Sequence, residues 1–344
     1  HLRKKTNFKT AINMSFSPII ISGWFPKGGV AKTISAYNMG YFFAKNGYKT
    51  ILVDADVQCS LTKSFLYQDD GTEDVTFENE MYEIYKEGQD ICLNIGASID
   101  TVLSGNRIEP PMVQATHHKI LKDQLLLLPG SISSITELET ILNYAEQGKR
   151  PIDSNKPGCF MKMVEKTAKN YGAQIVIIDT GTPISTLNMI ITMSSNYTYI
   201  PIQPDLFSIF SLESYIKLLS QDFRSRYSDL VLFTKHSKSP LPDTKPKFIG
   251  VLLQNFMSYG PSNSSAYNRN IKVIKENIEK AGIMENTSII ETVPNFDNHV
   301  IQAQTMGIPI IGLETSSPEL EMKIKKLNDI HRKIENIVFD KAIE

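Results

Sequence analysis

Short, wholly apolar runs recur along this 344-residue chain, each set against a segment with helical spacing, and that alternation leaves little choice of architecture. Buried parallel strands read as near-continuous apolar runs, because both faces of such a sheet are covered. The spacing predicts strands at Pro18–Trp24, Thr50–Ala55, Leu125–Leu128, Gln174–Ile178, Tyr197–Ile202, Phe248–Leu253 and Ile289–Val293. Between the first two lies a helix over Thr33–Asn46, with Ala36, Met39, Gly40, Phe43 and Ala44 on one face and Gly47 at its end. Ile271, Ile274, Ile278 and Ala281 share a second helical face. A last helix opens at Ser317-Pro318 and turns Leu320, Ile324, Leu327, Ile334 and Val338 inward. The expected fold is α/β, a single doubly wound, mostly parallel sheet flanked by helices. No internal repeat or second domain is visible. We read 14–344 as one domain, with Met14 as the natural start and 1–13 as a tag or disordered leader. Asp69–Lys122 is polar and resists assignment, and His236–Lys247 is a basic, proline-rich loop.

Charge and cysteine content exclude several classes. A formal net charge of −1 gives no global attraction to nucleic acid or anionic lipid, so such contacts would need a local patch. Cys59, Cys92 and Cys159 are far apart and form no CxxC pair, which fits a reducing, cytoplasmic setting better than a zinc site or a disulfide framework. No apolar run approaches the roughly 20 residues of a membrane span.

The segment Lys27-Gly28-Gly29-Val30-Ala31-Lys32-Thr33 falls between the first strand and the first helix. There, small residues let successive amides converge on phosphate oxygens, and the helix N-terminus adds a favourable dipole. Lys32 is placed to reach β- and γ-phosphates and Thr33 to ligate Mg²⁺. Read alone, the run is also compatible with a plain turn, since Pro26 and Ala31 occupy the two glycine positions of the strict phosphate-loop pattern. The segment resembles the ParA/MinD family of deviant Walker A P-loop ATPases, whose loop reads KGGxGK[ST]. Lys27 matches that family's diagnostic first lysine, which the resemblance implies acts in trans on a partner's nucleotide. Ala31 and Ile34 depart from the pattern. A side chain at 31 is expected to be tolerated only with a negative φ, whereas Ile34 still offers its backbone N–H.

Val53-Asp54-Ala55-Asp56-Val57-Gln58 resembles the family's D-x-D-P-Q signature, with the catalytic aspartate 24 residues after the loop lysine (32 to 56). The resemblance implies that Asp56 orients the attacking water and lies near the metal. The alternative is that the two aspartates merely cap the next element. Gln174–Asp179 is an apolar strand ending in an acid, the Walker B arrangement, so Asp179 joins Thr33 and Asp56 as a candidate Mg²⁺ site. Gly181 replaces a proline of the family's D-T-P-P and is expected to loosen that segment. Tyr199–Asp205 with Ser208 looks like the family's strand end near the dimer contact. Gly250–Asn255 resembles the strand whose terminal asparagine, here Asn255, binds adenine, and Val293-Pro294-Asn295 the loop that sets Pro294 beside the base.

The resemblance implies ATP and Mg²⁺ as cofactors, weak ATP hydrolysis, and a homodimer with ATP sandwiched between subunits. Three uses of such a switch remain open. One is DNA or cargo partitioning, in which the ATP dimer binds nonspecific DNA on the nucleoid and a ParB-like or cargo adaptor triggers hydrolysis. A second is a MinD-like membrane switch, and the third a metabolic or assembly-adaptor relative. The segment Ile334–Glu344 carries acids and lacks a Lys/Arg face, which disfavours the membrane use. Two basic groups favour DNA: Arg224, Arg226, Lys235, Lys238, Lys245 and Lys247, and Lys323, Lys325, Lys326, Arg332 and Lys333. Both groups are also compatible with ordinary solvated faces.

Overall fold

The computed structural model describes residues 17–67, 91–148, 150, 153–254 and 261–340. The leader 1–13 and Asn255 lie outside them. Eight strands form one sheet in the order β10-β9-β8-β1-β7-β2-β6-β5. They are β1 (Ile19–Gly23), β2 (Thr50–Ala55), β5 (Thr116–His118), β6 (Lys122–Leu128), β7 (Ile175–Thr180), β8 (Tyr197–Ile202), β9 (Lys247–Leu253) and β10 (Ile289–Thr292). The short strands β3 (Ile91–Cys92) and β4 (Met112–Val113) pair separately. Every pairing in the main sheet is parallel except β5 with β6. All seven expected strands are present, and the apolar runs explain why.

Alternate residues of each strand serve opposite layers. Ile20, Ile51, Val53, Val176, Ile178, Ile200 and Val251 pack into one core. Ile21, Leu52, Leu125, Leu127, Ile175, Ile177 and Leu252 pack into the other. The second layer receives α1 (Lys32–Lys45) and the last helix, Pro318–Val338. Ser317 caps that last helix by accepting from the Leu320 amide, as its sequence predicts. Helix α1 is buried almost all round, from Ser35 to Ala44. The first layer receives the helices Ile132–Gly148, Cys159–Tyr171 and Thr186–Ser194, and the long helical stretch that starts at Leu206.

Two connections leave the sheet centre in opposite directions. The connection from β1 passes through α1 to β2, whereas that from β7 passes to β8 on the other side of β1. The carboxyl ends of β1, β2 and β7 therefore open a crevice, the place where α/β sheets take ligands. In register, Gly23 and Asp54 both lie opposite Asp179.

Candidate functional site

The turn from β1 into α1 is the base of the crevice. Gly29 has φ +72 and faces open space, so the loop backbone is presented rather than covered. Ala31 takes the next left-handed position at φ 58, ψ 36, and its carbonyl accepts from the Ser35 amide at 2.9 Å to start α1. The expected negative φ at Ala31 is therefore wrong. The loop needs a left-handed turn there to aim its amides inward, and the alanine adopts it despite its Cβ.

Lys32 is 7% exposed. Its Nζ donates to the carbonyls of Lys27 (3.0 Å) and Phe25 (3.4 Å) and to Thr182 Oγ1 (3.3 Å). Burial lowers its pKa, and the nearby charges of Asp179 and Asp56 oppose that fall. A buried ammonium whose hydrogen bonds all go to neutral oxygens is suited to pairing with an anion.

The two aspartates after β2 have separate work. Asp54 is fully buried, and its Oδ2 accepts from Thr62 N (2.7 Å) and Thr62 Oγ1 (2.6 Å). Burial pushes its carboxyl up to about 6, with the Thr62 bonds pulling the other way. Asp54 thus ties β2 to the helix Ser60–Leu66. Asp56 borders the crevice, its Oδ1 accepting from Gln58 N at 3.0 Å. Only the first aspartate fits the capping alternative.

Asp179 is 1% exposed, and neither carboxylate oxygen has a hydrogen bond of normal length among the described residues. Burial raises its pKa well above the ordinary range, and the charges of Asp54 and Asp56 raise it further; Thr33 stands near enough to offset part of this. The segment after Asp179 is held more firmly than its glycine suggests. Asn188, itself 2% exposed, donates to the carbonyls of Gly181 (3.2 Å) and Pro183 (2.8 Å).

The phosphate loop, Lys32 and Asp56 border a cavity of about 550 Å³. Gly28 to Ile34, Asp56, Gln58 and Thr182 line one side; Val300, Ala303, Gln304 and Ile308 to Ile310 line another. Pro294 borders a smaller adjoining space with Gln254 and Ser35, not the main cavity. Gln254 donates to Ser35 Oγ at 3.0 Å. No cluster of three or more His, Cys, Asp or Glu side chains fit to hold a metal occurs among the described residues.

Lys27 does not line the cavity. Its ammonium bonds to Asp205 Oδ2 and to Ser208 Oγ (2.9 Å). Asp205 also caps the helix Leu206–Lys217 by accepting from Ser208 N at 2.8 Å. Burial pushes the Asp205 carboxyl up, but Lys27 and the Ser208 amide outweigh it and hold it below its usual range.

The AAA domain model matches residues 19–229, which take in the loop, both aspartate strands and Asp205. The chain belongs to the AAA domain family. Its ParA/MinD resemblance agrees with the solved structures that share the fold. A Cyanothece McdA variant in complex with ATP has a TM-score of 0.55 at 14% identity, covering 92% of this chain and 96% of that one. The septum site-determining protein MinD of Pyrococcus horikoshii, complexed with Mg-ADP, has 0.53 at 13%, covering 95% and 100%. An uncharacterized protein of Methanocaldococcus jannaschii is 23% identical over 249 residues, 70% of this chain and 83% of the relative.

The basic residues divide. Arg226 is bound by Glu146 at 2.6 and 2.9 Å and by Asp222 at 3.1 Å. Lys323 pairs with Glu319 and Asp297, Arg332 with Glu335, and Lys247 lies over the Tyr197 ring. Arg224, Lys245, Lys325 and Lys326 are exposed, with no ion pair among the described residues. Sequence reasoning missed Thr182 and Asn188, and although it placed Asp205 and Ser208 in a strand-end pattern it missed their hold on Lys27, because tertiary packing chooses that partner.

Proposed function

We propose that the protein is an ATP-dependent dimerisation switch with weak ATP hydrolysis, used in partitioning DNA or cargo. The observation that carries the reading is the division between two lysines. Lys32 and Asp56 line the cavity and the buried Asp179 lies close enough to act on the Lys32 charge, while Lys27 stands outside that lining on a polar, releasable contact.

In this reading the loop amides of Gly28 to Ile34 and the Lys32 ammonium hold the triphosphate. Asp56 accepts a hydrogen bond from water and aims it at the γ-phosphorus; the new P–O bond forms as the bond to the ADP oxygen breaks, releasing ADP and phosphate. The unpartnered oxygens of Asp179, facing Thr33, fit Mg²⁺, which needs one or two carboxylates beside phosphate oxygens. Bound there with Asp56 close by, the ion would neutralise charge on the β- and γ-phosphates. Pro294 and Asn255 are assigned to the base side. Support for these ligands comes from the ATP and Mg-ADP complexes of proteins sharing the fold.

A dimer is supported by what surrounds Lys27. Leu206, Phe207 and Phe210 are 60–76% exposed on the helix that Asp205 caps, and Ile184 is 59% exposed beyond Gly181. Released by ATP, Lys27 would reach a facing subunit's γ-phosphate, so that hydrolysis depends on assembly. No helix among the described residues is long and apolar enough to cross a membrane. We assign a cytoplasmic protein, nucleoid-associated in its ATP form, that binds nonspecific duplex DNA and is stimulated by a ParB-like or cargo adaptor.

Sedimentation with ATP, ADP or no nucleotide, each with and without nonspecific DNA, tests the scheme. Wild-type protein should dimerise and bind DNA only with ATP. Lys27→Gln should bind ATP yet remain monomeric, and Asp56→Ala should dimerise without turnover. Full ATP-dependent dimerisation by Lys27→Gln defeats the cross-subunit role, and sedimentation with anionic liposomes but not DNA points to a MinD-like use.

A further inference from the structure

The far wall of the cavity is fastened to the phosphate-loop helix by a buried hydrogen-bond chain. Tyr37, on α1, is 4% exposed and lines the cavity. Its hydroxyl donates to the Gly307 carbonyl at 3.0 Å. His118, fully buried, lies with Nε2 3.2 Å from the same hydroxyl. The amides of Ile120 and Leu121 donate to His118 Nδ1 at 3.2 and 3.1 Å. Two N–H groups aimed at Nδ1 require it to be the acceptor, so the ring is neutral with its proton on Nε2. The chain then has one sense: Nε2–H donates to Tyr37, and Tyr37 donates to Gly307. Burial and the neighbouring Lys119 and Lys122 lower the His118 pKa to about 4, in keeping with a neutral ring.

Gly307 leaves little slack. It has φ +58, and a Cβ there would lie 2.2 Å from the Tyr67 carbonyl oxygen. The Lys119 ammonium also donates to the Met306 carbonyl. The next residues, Ile308 to Ile310, form the cavity wall. The hairpin turn between β5 and β6, far from the phosphate loop in sequence, therefore sets where that wall stands.

We infer that Tyr37 and His118 are positioning residues that fix the wall at Gly307–Ile310 against α1, and so set affinity for the nucleoside end of the bound nucleotide without touching its phosphates. The inference rests on the nucleotide reading above. Losing the Tyr37 hydroxyl frees the Gly307 carbonyl while the aromatic ring keeps its packing on Phe65 and His118. The phosphate loop, Lys32 and Asp56 keep their own contacts.

The test compares wild type, Tyr37→Phe and His118→Gln, binding ATP and inorganic triphosphate separately by calorimetry, with steady-state hydrolysis alongside. Tyr37→Phe should weaken ATP binding and raise KM by about fivefold to tenfold, the effect of one lost buried hydrogen bond. Its kcat at saturation and its affinity for inorganic triphosphate should stay within about twofold of wild type. His118→Gln keeps a donor and an acceptor but not their fixed geometry, and should move ATP affinity in the same direction. Equal loss for ATP and inorganic triphosphate, or wild-type ATP affinity in Tyr37→Phe, overturns the inference. If wild-type protein itself fails to bind ATP, the nucleotide reading falls instead, so the two failures are distinguishable.

Discussion

Ala31 shows how a single residue can depart from a pattern while keeping its geometry. The loop imposes φ 58 on it, a conformation that costs an L-residue roughly 1–2 kcal/mol. Ala31→Gly should relieve that strain. Because glycine also loosens the unfolded chain, the net gain should be about 0.5–1 kcal/mol, seen as a rise in Tm of about 1–3 °C. A lower Tm would mean the Cβ makes contacts that outweigh its strain. Asp179 carries the larger tension. Its folded-state pKa lies above the unfolded one, so the folded chain resists ionisation. That penalty is absent below about pH 4, the ordinary carboxylate range, and grows as pH rises through the folded pKa. Nucleotide-free Asp179→Asn should accordingly be more stable than wild type at pH 7.5, on the order of 1–3 kcal/mol. The gap should close toward pH 4, and Mg²⁺-dependent ATP binding should be lost. Melting curves across that range, with ATP titrations at neutral pH, check both halves.

At the scale of elements, the helix Leu206–Lys217 and its cap are bonded to the phosphate loop and to the end of the strand before it. Asp205 and Ser208 at its start hold Lys27, and Tyr215 near its end donates to the Trp24 carbonyl at 2.9 Å. It continues through a π-helical turn, Leu218–Phe223, into Arg224–Thr234. That turn leaves Phe223 stacked on Trp24, ring centroids 5.2 Å apart. Local widening of this kind is often found at functional sites. Asp205→Asn should keep the cap on Ser208 but remove the charge that competes for Lys27. The ATP concentration needed for dimerisation should then fall by about twofold to fivefold, the worth of a partly exposed ion pair. Analytical ultracentrifugation across an ATP series measures it; a higher threshold would mean that the pair prepares Lys27 instead of restraining it.

Over the whole molecule, a net charge of −1 leaves any DNA affinity to local surface. Intramolecular pairing removes Arg226, Lys323 and Arg332 from the simplest version of such a surface, whereas Lys325 and Lys326 lie exposed on the last helix. Lys325→Glu with Lys326→Glu should weaken retardation of nonspecific duplex DNA by the ATP-bound protein and lower the slope of log K against log salt by about 2. Unchanged retardation and slope would assign DNA contact elsewhere or exclude it.

The seven parallel strands, the helix after the phosphate loop and the capped last helix were legible in the sequence, because each rests on local periodicity and local hydrogen bonding. So were Lys32, Asp56 and Asp179 as neighbours, since strand ends in a parallel sheet must meet at one edge. The antiparallel strand Thr116–His118 was not, for three polar residues carry no alternation to read. Left to tertiary structure were the backbone of Ala31, the different work of Asp54 and Asp56, the restraint of Lys27 by Asp205, and the chain from His118 to Gly307. Each joins parts of the chain that sequence proximity does not connect or selects between equal local choices, and only packing fixes which polar group finds which partner.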